Sequence, residues 1–402
     1  MKPCVDPNEL KQRIRRLVAE ITEIRHGFHR IPETKLEEHK TSERIRELVG
    51  NTSIELMDPY IGTDVVGLLW GMGGERGAGG NVTLRADIDA LPIEETSGKS
   101  WKSEHAGRAH SCGHDGHTAV LIGTLKVLDS LKERFAGSVR FVFQPAEEEA
   151  GGGRMMVAKG LLDSDPKPEA VFALHGWPGI PVGTIAARPG AAMAAQDRFR
   201  ITITGRGGHG AVPHKAIDPI VTAAQVVTGL QTIVARSLEP VAAGVISVCT
   251  IHGGTTGNVI PDKVVMEGTT RYFDKQIQSL IRSRMEEVIR GICQSAGAVG
   301  ELEYREGYIP LVNTPEKVRF AEEVVEAYLG RSTWIADLPQ VMGAEDFAFY
   351  LDKVPGAFLR LGLGKQWPGL HSAGFDFNDE AIEAGITAMS ALALETLSQS
   401  GA

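Results

Sequence analysis

Short apolar runs alternate with amphipathic stretches between residues 65 and 180, and this order leaves few folds open to the chain. The apolar runs are bounded by glycine-rich turns and have the length of buried strands; they lie at residues 65–71, 81–93, 138–148 and 170–179. Helices are predicted between them, from about Thr118 to Glu133 and near Met155–Leu162. Parallel strands need such crossover helices, so the pattern predicts an α/β fold with a mixed, mostly parallel sheet flanked by helices.

Polar residues follow three of the predicted strands. The motifs are ADID at 86–89, QPAEE at 144–148 and LHGWP at 174–178. Because the carboxyl ends of parallel strands meet at one edge of a sheet, we expect these motifs to lie close together. That edge is where open α/β sheets bind ligands, so it is the predicted location of the chemistry.

The pattern changes after Gly190. The predicted elements there are strands at 197–208, 245–254 and 263–273 and helices at about 219–235 and 276–296, in a β-α-β-β-α-β-like order. A chain of 402 residues has room for two or three domains. We predict a catalytic domain of residues 1–190 and 305–402, interrupted by a smaller α+β lid or dimerisation domain of residues 191–304.

Charge and hydropathy exclude several kinds of partner. The formal net charge is −9 and no long basic stripe offsets it, so we expect no nucleic-acid partner. No apolar run has the length of a membrane span, so no membrane partner is expected. Pro3, Asp6 and Pro7 stand where a signal peptide needs an apolar core, which predicts a cytoplasmic location.

The segment HAGRAHSCGHDGHT, residues 105–118, contains four histidines and a cysteine beside an aspartate. This density of ligand types indicates a metal site, and a thiolate with an imidazole at Cys112 and His114 suits Zn, Ni, Co or Mn better than Mg or Ca. Two alternatives stay open at this point. The segment could be a surface loop with spare histidines, or Cys112 could be the nucleophile of a cysteine amidase with a histidine base.

An acidic run follows the strand predicted at 138–148. Glu147 and Glu148 come after Pro145, where adjacent side chains can point in different directions. One carboxylate can then bind a cation while the other moves a proton, as in metal-assisted hydrolysis. His175 could add an imidazole to the same cluster. Taken alone, an acidic triplet is usually a solvated turn and a lone histidine is usually structural.

The motifs together resemble the amidohydrolase branch of the aminoacylase/carboxypeptidase metallopeptidase family, which includes hippurate hydrolases and plant hydrolases of indoleacetic acid–amino acid conjugates. The resemblance extends along nearly the whole chain. Its motifs are FHRIPE (28–33), RADIDALPI (85–93), HSCGHDGHT (110–118), FQPAEE (143–148), LHGWP (174–178), GGHGAVPHKAIDPI (207–220), GNVIPD (257–262), MGAEDFAFY (342–350) and LHSAGFDFNDEAI (370–382).

The resemblance implies a site for two divalent metal ions per subunit, which would be Mn, Zn, Ni or Co. Its ligands map to Cys112, His114, Glu148, His175 and His371, with the thiolate bridging the two ions. Glu147 is implied as the general base. Asp89 looks like the carboxylate that orients a ligand, as metal-binding histidines require.

Further implied residues lie in the predicted inserted domain. His209 would stabilise the tetrahedral oxyanion, in relatives often in the partner subunit's site, and the chain would form a homodimer or homotetramer. Asn258 and Arg271 look like the residues that hold the substrate's free carboxylate. Without the resemblance, His209 could be a loop histidine and Arg271 a solvent-exposed one.

The predicted function is hydrolysis of N-acyl-L-amino acids, hippurate-like or N-acetyl, to a carboxylic acid and a free amino acid by metal-activated water. A dipeptidase or carboxypeptidase-type exopeptidase with the same two-metal site is the alternative, and a non-catalytic binding relative is a third. QPAEE continues into EAGGG where relatives commonly run directly into glycines, so we expect an altered turn and an effect on the substrate pocket. The roles of Asp87 and Glu345, and the acyl group, stay open.

Overall fold

The structure of the protein is a computed structural model that describes residues 2–336 and 338–400. The chain divides into two compact units. Unit 1 comprises Met1–Ala192, Val312–Pro339 and Glu345–Ala402, and unit 2 comprises Met193–Leu311 and Gln340–Ala344. Unit 2 is therefore inserted within the sequence of unit 1. Its function as a lid or dimerisation domain stays a prediction.

The elements are numbered in chain order. The helices are α1 (Pro7–Arg30), α2 (His39–Val49), α3 (His114–Asp129), α4 (Gly152–Ala158), α5 (Pro219–Thr232), α6 (Lys275–Ala296), α7 (Pro315–Leu329), α8 (Ala348–Leu351) and α9 (Ile382–Ser400). The strands are β1 (Glu55–Leu56), β2 (Val65–Trp70), β3 (Asn81–Asp87), β4 (Ser138–Gln144), β5 (Ala170–Pro178), β6 (Ile185–Ala186), β7 (Gly190–Met193), β8 (Ala195–Thr204), β9 (Gly208–His209), β10 (Gly244–Gly253), β11 (Val259–Ile260), β12 (Lys263–Tyr272), β13 (Val299–Tyr308), β14 (Leu311–Asn313), β15 (Trp334–Ile335) and β16 (Gly356–Gly364).

Unit 1 is built on an eight-stranded sheet with the order β1-β2-β4-β3-β5-β16-β6-β15. Its central strands β4, β3, β5 and β16 run parallel to one another, while the β1–β2, β2–β4 and β16–β6 pairs are antiparallel. All residues of β3 and β4 are buried, as expected for parallel strands covered on both faces. The predicted α/β fold with a mixed, mostly parallel sheet is confirmed.

Four helices pack together over this sheet, namely α1, α3, α7 and α9. The two that lie deepest, α3 and α9, are buried along most of their length and contact β3 and β5. In contrast, α1 buries one stripe that includes Leu10, Ile14 and Ile21 and exposes its opposite face. The difference follows from composition, because a helix with apolar residues on all sides has to be buried.

Unit 2 contains an antiparallel four-stranded sheet with the order β10-β12-β8-β13. In β8 the side chains of Phe199, Ile201 and Ile203 are buried, while Arg198 and Arg200 on either side of Phe199 are exposed. This period of two gives the strand one apolar face. Helices α5 and α6 supply apolar side chains to the same core.

Two strands end earlier, and one helix begins earlier, than the sequence pattern predicts. Strand β4 stops at Gln144 because Pro145 has no N–H for the ladder, and β3 ends at its partner residue Asp87. Helix α3 begins at His114 rather than near Thr118, because its first turn holds polar residues that carry no apolar periodicity. Within the part of the chain that the structure describes, no helix is long and apolar enough to cross a membrane.

Candidate metal centre and active site

The candidate site lies at the carboxyl ends of β4, β3 and β5, which are neighbours in the sheet of unit 1. Asp87 is the last residue of β3, and Asp89 follows it by two positions. Glu147 and Glu148 lie just beyond β4, and His175 is on β5. The structure thus brings together the three motifs that the sequence pattern directs to one sheet edge.

The Cys/His segment, residues 105–118, reaches this edge because of two glycines. One allows a sharp turn, and the other allows a close contact with a phenylalanine. Gly113 has a φ of 93° and precedes the first residue of α3, so the chain turns sharply between Cys112 and His114. A Cβ on Gly116 would lie 2.2 Å from Cδ2 of Phe377, which packs against the helix. Only a glycine fits at position 116 without displacing that ring.

Asp89 connects two of the predicted ligands. Its Oδ1 accepts a hydrogen bond from Nδ1 of His114 at 3.2 Å, and its Oδ2 accepts one from the backbone N–H of Glu148 at 3.1 Å. With Nδ1 carrying the proton, Nε2 of His114 keeps a lone pair that faces the site. Asp89 is 1% exposed, so it acts inside the protein as an orienting carboxylate.

His175 and Cys112 meet on the other side of the cluster. Nδ1 of His175 donates to the carbonyl of Gly176 at 2.8 Å, which leaves Nε2 as the nitrogen with a free lone pair. That Nε2 lies 3.4 Å from Sγ of Cys112. Both atoms are therefore presented to the same space as potential ligands.

His371 comes to the site from near the end of the chain. Its backbone N–H donates to the carbonyl of Ser111 at 2.8 Å, and its φ is 61°, unusual for a residue with a side chain. Nε2 of His371 lies 3.3 Å from Oε1 of Glu148. Sγ of Cys112 belongs to the same group of three potential ligand atoms, which lie within 4.8 Å of one another.

Two buried atoms at the centre have no hydrogen-bond partner among the described residues. They are Nε2 of His114 and Oε1 of Glu148, which are 3.8 Å apart. Polar atoms without a hydrogen bond are costly inside a protein, and each of these two atoms can offer a lone pair. A cation between them would satisfy both, so the donor set fits a metal centre. A cysteine sulfur beside imidazoles suits Zn, Co, Ni or Mn.

His117 lies within the cluster but is already engaged on both ring nitrogens. Its Nδ1 lies 2.6 Å from Oδ1 of Asp87, and its Nε2 accepts the N–H of Gly176 at 2.7 Å. It therefore fixes Asp87 and β5 in place and has no lone pair left for a cation. His117 is one of the four histidines of segment 105–118, and its spacing of three from His114 on a helix is the signal that places both on one face.

Arg85 holds a set of buried carboxylates behind the centre. Its guanidinium contacts Oδ2 of Asp87 at 2.7 Å, Oε1 of Glu345 at 3.0 Å and Oδ1 of Asp346 at 2.9 Å. Its Nε donates to Oε1 of Gln144 at 3.0 Å. Asp87 and Glu345, whose roles the sequence left open, are thus members of one charge network with Arg85. The sequence analysis gave no role to Arg85, Gln144 or Asp346.

Glu147 lies between this network and the candidate ligands. It is 6% exposed, and its Oε1 accepts the backbone N–H of Asp346 at 3.3 Å. Its carboxylate also groups with the ligand atoms of His114 and Glu148. Burial, followed by the negative charge of Glu345, raises the pKa of Glu147 well above its usual range. A raised pKa suits a carboxylate that accepts and returns a proton near neutral pH.

The turn that presents Glu147 and Glu148 is fixed by a residue that the sequence analysis missed. Ala146 has a φ of 59°, and its N–H donates to Oε1 of Glu38 at 3.1 Å. The same oxygen accepts the N–H of Leu36, which has a φ of 58°, at 2.9 Å. Glu38 is fully buried. One carboxylate therefore ties two left-handed turns together.

Comparison with known proteins identifies the family. Residues 83–395 match the sequence profile of peptidase family M20/M25/M40. The chain belongs to this family. It is 37% identical over 380 residues to N-acetylcysteine deacetylase of Bacillus subtilis, covering 93% of this chain and 97% of that protein. It is 36% identical over 395 residues to thermostable carboxypeptidase 2 of Saccharolobus solfataricus, covering 96% and 98%.

A solved structure of an M20 protein has the same fold. The crystal structure of Bacillus subtilis YxeP, described as a dinuclear metal binding peptidase, superposes with a TM-score of 0.83 at 34% identity. The alignment covers 96% of this chain and 99% of that one. The predicted family membership is confirmed, and the protein is a hydrolase of the metal-dependent amidohydrolase and peptidase class.

The surroundings of Cys112 in this M20 protein differ from those of a nucleophilic cysteine. Burial and the negative charges of Glu148 and Glu147 raise the pKa of its thiol well above the usual range. Reactive cysteines instead lie in electropositive, partly exposed places that lower the pKa. The site therefore favours a thiolate paired with a cation over the cysteine-amidase alternative.

Three predicted residues of the M20 protein lie in unit 2. His209 is on the small ribbon of β9 and β11 and Asn258 directly precedes β11, where the N–H of Gly210 donates to the carbonyl of Asn258 at 2.8 Å. His209 is exposed, and its Nδ1 accepts the N–H of Ala211 at 3.0 Å. Arg271 is on β12, half-buried, and its guanidinium donates to Oγ1 of Thr269 at 2.6 Å. The structure brings His209, on β9, close to Asn258, which directly precedes β11.

Proposed function

We propose that the protein hydrolyses N-acyl-L-amino acids to a carboxylic acid and a free amino acid. The observation that carries this proposal is the pair of buried atoms that make no hydrogen bond, Nε2 of His114 and Oε1 of Glu148, beside the carboxylate of Glu147. That arrangement suits cation-assisted attack of water on an amide. The relative named N-acetylcysteine deacetylase supports an N-acyl-amino acid as the substrate class.

The proposed ligands of two divalent cations are Cys112, His114, Glu148, His175 and His371. Their potential ligand atoms fall into overlapping groups, each spanning no more than 4.8 Å. When bound, the ions would supply Lewis acidity to the amide carbonyl and to a water molecule. The ions proposed are Mn, Zn, Ni or Co, because the set combines thiolate, imidazole and carboxylate.

Glu147 is the proposed general base. Its carboxylate accepts the proton of the attacking water and then delivers a proton to the nitrogen of the leaving amino acid. The N–H of Asp346 holds one oxygen of this carboxylate, which limits its rotation. Asp89 keeps His114 and Glu148 in their orientations through the two hydrogen bonds described above.

Unit 2 is proposed to supply the residues that recognise the rest of the substrate. His209 would donate to the developing oxyanion, and such a donor is typically worth about 2.7–4 kcal/mol of the barrier. Arg271 and Asn258 would hold the free carboxylate of the amino acid. A planar guanidinium suits that carboxylate because it can donate two parallel hydrogen bonds.

A second candidate function is that of an exopeptidase that removes a residue from a peptide. The relative named thermostable carboxypeptidase 2 favours it, and the proposed ligands and base would serve either reaction. The two functions differ in what stands on the acyl side of the amide. A dipeptide carries a free α-amino group there, whereas an N-acyl-amino acid does not.

A substrate panel tests these proposals with one preparation. The protein is stripped of metal by a chelator and assayed with and without added Mn, Zn, Co or Ni on N-acetyl, N-benzoyl and indoleacetyl amino acids and on dipeptides. We expect cleavage of N-acyl-amino acids only after metal is added. Faster cleavage of dipeptides would favour the exopeptidase. A cleavage rate that does not change when the metal is removed would overturn the metal-dependent mechanism. It would instead favour Cys112 as the nucleophile.

A further inference from the structure

A cavity of about 190 Å³ opens beside the candidate metal centre. Its lining includes Asp89 and Glu148, which belong to the candidate centre, and Leu91 and Pro92, which contribute apolar surface. Lys35 and Glu149 also line it, and both of their side chains are about half exposed. The cavity therefore runs from the proposed reacting centre toward solvent. All of these residues belong to unit 1.

The walls of the cavity are held in fixed positions. Two segments contribute to the lining: Thr34 and Lys35 directly precede Leu36, and Glu148 and Glu149 follow Ala146. The buried Glu38 binds the N–H groups of both turns, as described above, and its Oε2 also accepts the hydroxyl of Thr63 at 2.8 Å. Because one carboxylate fixes both turns, the width of the cavity is set by the fold.

The charges along the cavity disfavour a negatively charged group. Lys35 is the one cation among its described lining residues, and it forms an ion pair with Glu149. A substrate carboxylate that entered the cavity would meet Lys35, whose positive charge is already compensated by Glu149. The volume of the cavity lies below the roughly 300–1,000 Å³ of sites for drug-sized ligands, so the cavity has room for a short acyl chain.

We propose that this cavity receives the acyl group of the substrate and that Lys35 and Glu149 are specificity-determining residues that favour short, uncharged acyl groups. The inference rests on the proposed hydrolysis of N-acyl-amino acids. Glu149 is the residue that follows the motif QPAEE. Its carboxylate pairs with the ammonium group of Lys35 in the lining of the cavity and so compensates that charge.

Two single substitutions should change specificity in opposite directions. Glu149→Gln removes the partner of Lys35 and leaves an uncompensated ammonium group for an acyl group that carries a carboxylate. Lys35→Met leaves the carboxylate of Glu149 uncompensated, and it then repels such an acyl group. Glu20→Gln is a matched control, because Glu20 forms a comparable exposed ion pair with Lys126 and does not line the cavity.

The test compares kcat/KM for N-acetyl-, N-succinyl- and N-benzoyl-L-methionine in the metal-loaded wild type and these three variants. We expect the wild type to prefer the N-acetyl substrate. Glu149→Gln should raise the succinyl-to-acetyl ratio about fivefold and Lys35→Met should lower it about fivefold, as for one exposed charge pair. Glu20→Gln should leave the ratio at the wild-type value.

Binding provides a readout that does not depend on turnover. In a Glu147→Gln background, the dissociation constants of the N-acetyl and N-succinyl substrates are measured by calorimetry, with and without Glu149→Gln. The added substitution should tighten binding of the N-succinyl compound by about fivefold and leave the N-acetyl compound unchanged.

The outcomes separate this inference from the proposed function. If the wild type hydrolyses N-acyl-amino acids but neither variant moves the succinyl-to-acetyl ratio, the assignment of Lys35 and Glu149 is overturned and the proposed function stands. A wild-type preference for the N-benzoyl substrate would likewise overturn the assignment of the cavity. If the metal-loaded wild type cleaves no N-acyl-amino acid, the proposed function fails and this inference with it.

Discussion

At the scale of single residues, Asp89 acts through both of its carboxylate oxygens. Each oxygen accepts from a different proposed ligand, Nδ1 of His114 and the N–H of Glu148. Asp89→Asn keeps the size of the side chain but offers only one acceptor oxygen, so one of the two hydrogen bonds has to be lost. We expect metal affinity to fall about 10- to 100-fold, measured by titration against a competing chelator.

The matched control for Asp89→Asn is Asp352→Asn on the exposed surface of the same unit. This control should bind metal as the wild type does. An Asp89→Asn variant with unchanged metal affinity would show that the two hydrogen bonds do not orient the ligands.

Glu147→Gln tests the proposed base directly. The amide of glutamine cannot accept the proton of the attacking water, so kcat should fall by about 10² to 10⁴-fold. The volume of the side chain and the ligand set are preserved, so the metal content should stay at the wild-type value. Elemental analysis of the purified variant measures that content alongside the rate. Loss of metal together with loss of activity would make Glu147 a ligand rather than the base.

Whether a residue of the candidate site could be predicted from the sequence depends on which part of the chain brings it there. Cys112 and His114 stand in one dense segment, and Glu147 and Glu148 follow a strand, so composition and position alone made them candidates. His371 entered only through the family resemblance, because its approach depends on a contact with Ser111 that no local pattern shows. Arg85 and Glu38 were missed for a related reason, since most of their partners come from segments distant in sequence.

At the scale of secondary structure, α3 has to lie very close to the segment that carries Phe377. A Cβ at position 116 would overlap that ring, so Gly116→Ala should destabilise the protein by about 1–3 kcal/mol despite the better helix propensity of alanine. Gly291 on α6 has no atom within 4 Å of its would-be Cβ. Gly291→Ala should therefore stabilise the protein by about 0.5–1 kcal/mol. Urea unfolding of both variants measures the two effects, and equal shifts would contradict the close approach.

The contact between α1 and α3 should depend on pH through His29. Burial lowers the pKa of His29, but the charge of Asp115 and hydrogen bonds to Asp115 and Glu95 raise it to about 9. Since the unfolded value is near 6.5, the charged pair stabilises the fold below pH 6.5, and this stabilisation is lost as the pH rises through about 9. The difference in Tm between wild type and His29→Gln should therefore shrink from pH 6.5 to pH 9.5.

The exposed His252 provides the control for that pH series. His252→Gln should give the same difference in Tm from the wild type at both pH values. A difference for His29→Gln that stays constant with pH would contradict a charged His29 in the folded protein.

The elements of unit 1 were predictable where apolar periodicity is strong, and their ends were not. The strands β2, β3, β4 and β5 lie where the apolar runs predict them. The start of α3 was missed because the polar residues of the candidate site occupy its first turn. These polar residues occupy positions where a regular pattern of apolar residues would otherwise indicate a helix. The helical pattern can therefore be recognised only after Thr118.

At the scale of the whole molecule, the two edges of the sheet in unit 2 differ in how they are protected. The edge strand β13 carries Glu301, Glu303 and Arg305, whereas β10 carries no acidic or basic residue apart from His252. Ile251 on β10 is 53% exposed. Uncharged edges are templates for pairing with another strand, so we propose that two copies of the chain associate through β10.

Ile251→Lys tests this association. The added charge should shift the protein from a dimer or tetramer toward the monomer, measured by light scattering after size-exclusion chromatography. Met72 is 61% exposed and lies in unit 1, so Met72→Lys is the matched control and should leave the mass unchanged. An unchanged mass for Ile251→Lys would remove β10 as the interface.

The division of the chain into units also has a consequence for its synthesis. Cys112, Glu148 and His175 precede unit 2 in the sequence, whereas His371 follows it and reaches the centre by donating its N–H to Ser111. A chain growing on the ribosome therefore presents an incomplete set of the proposed ligands until almost all of it has emerged. We expect the cations to bind only after the last segment has docked onto the rest of unit 1. A protein truncated before His371 should therefore bind no metal in the cell.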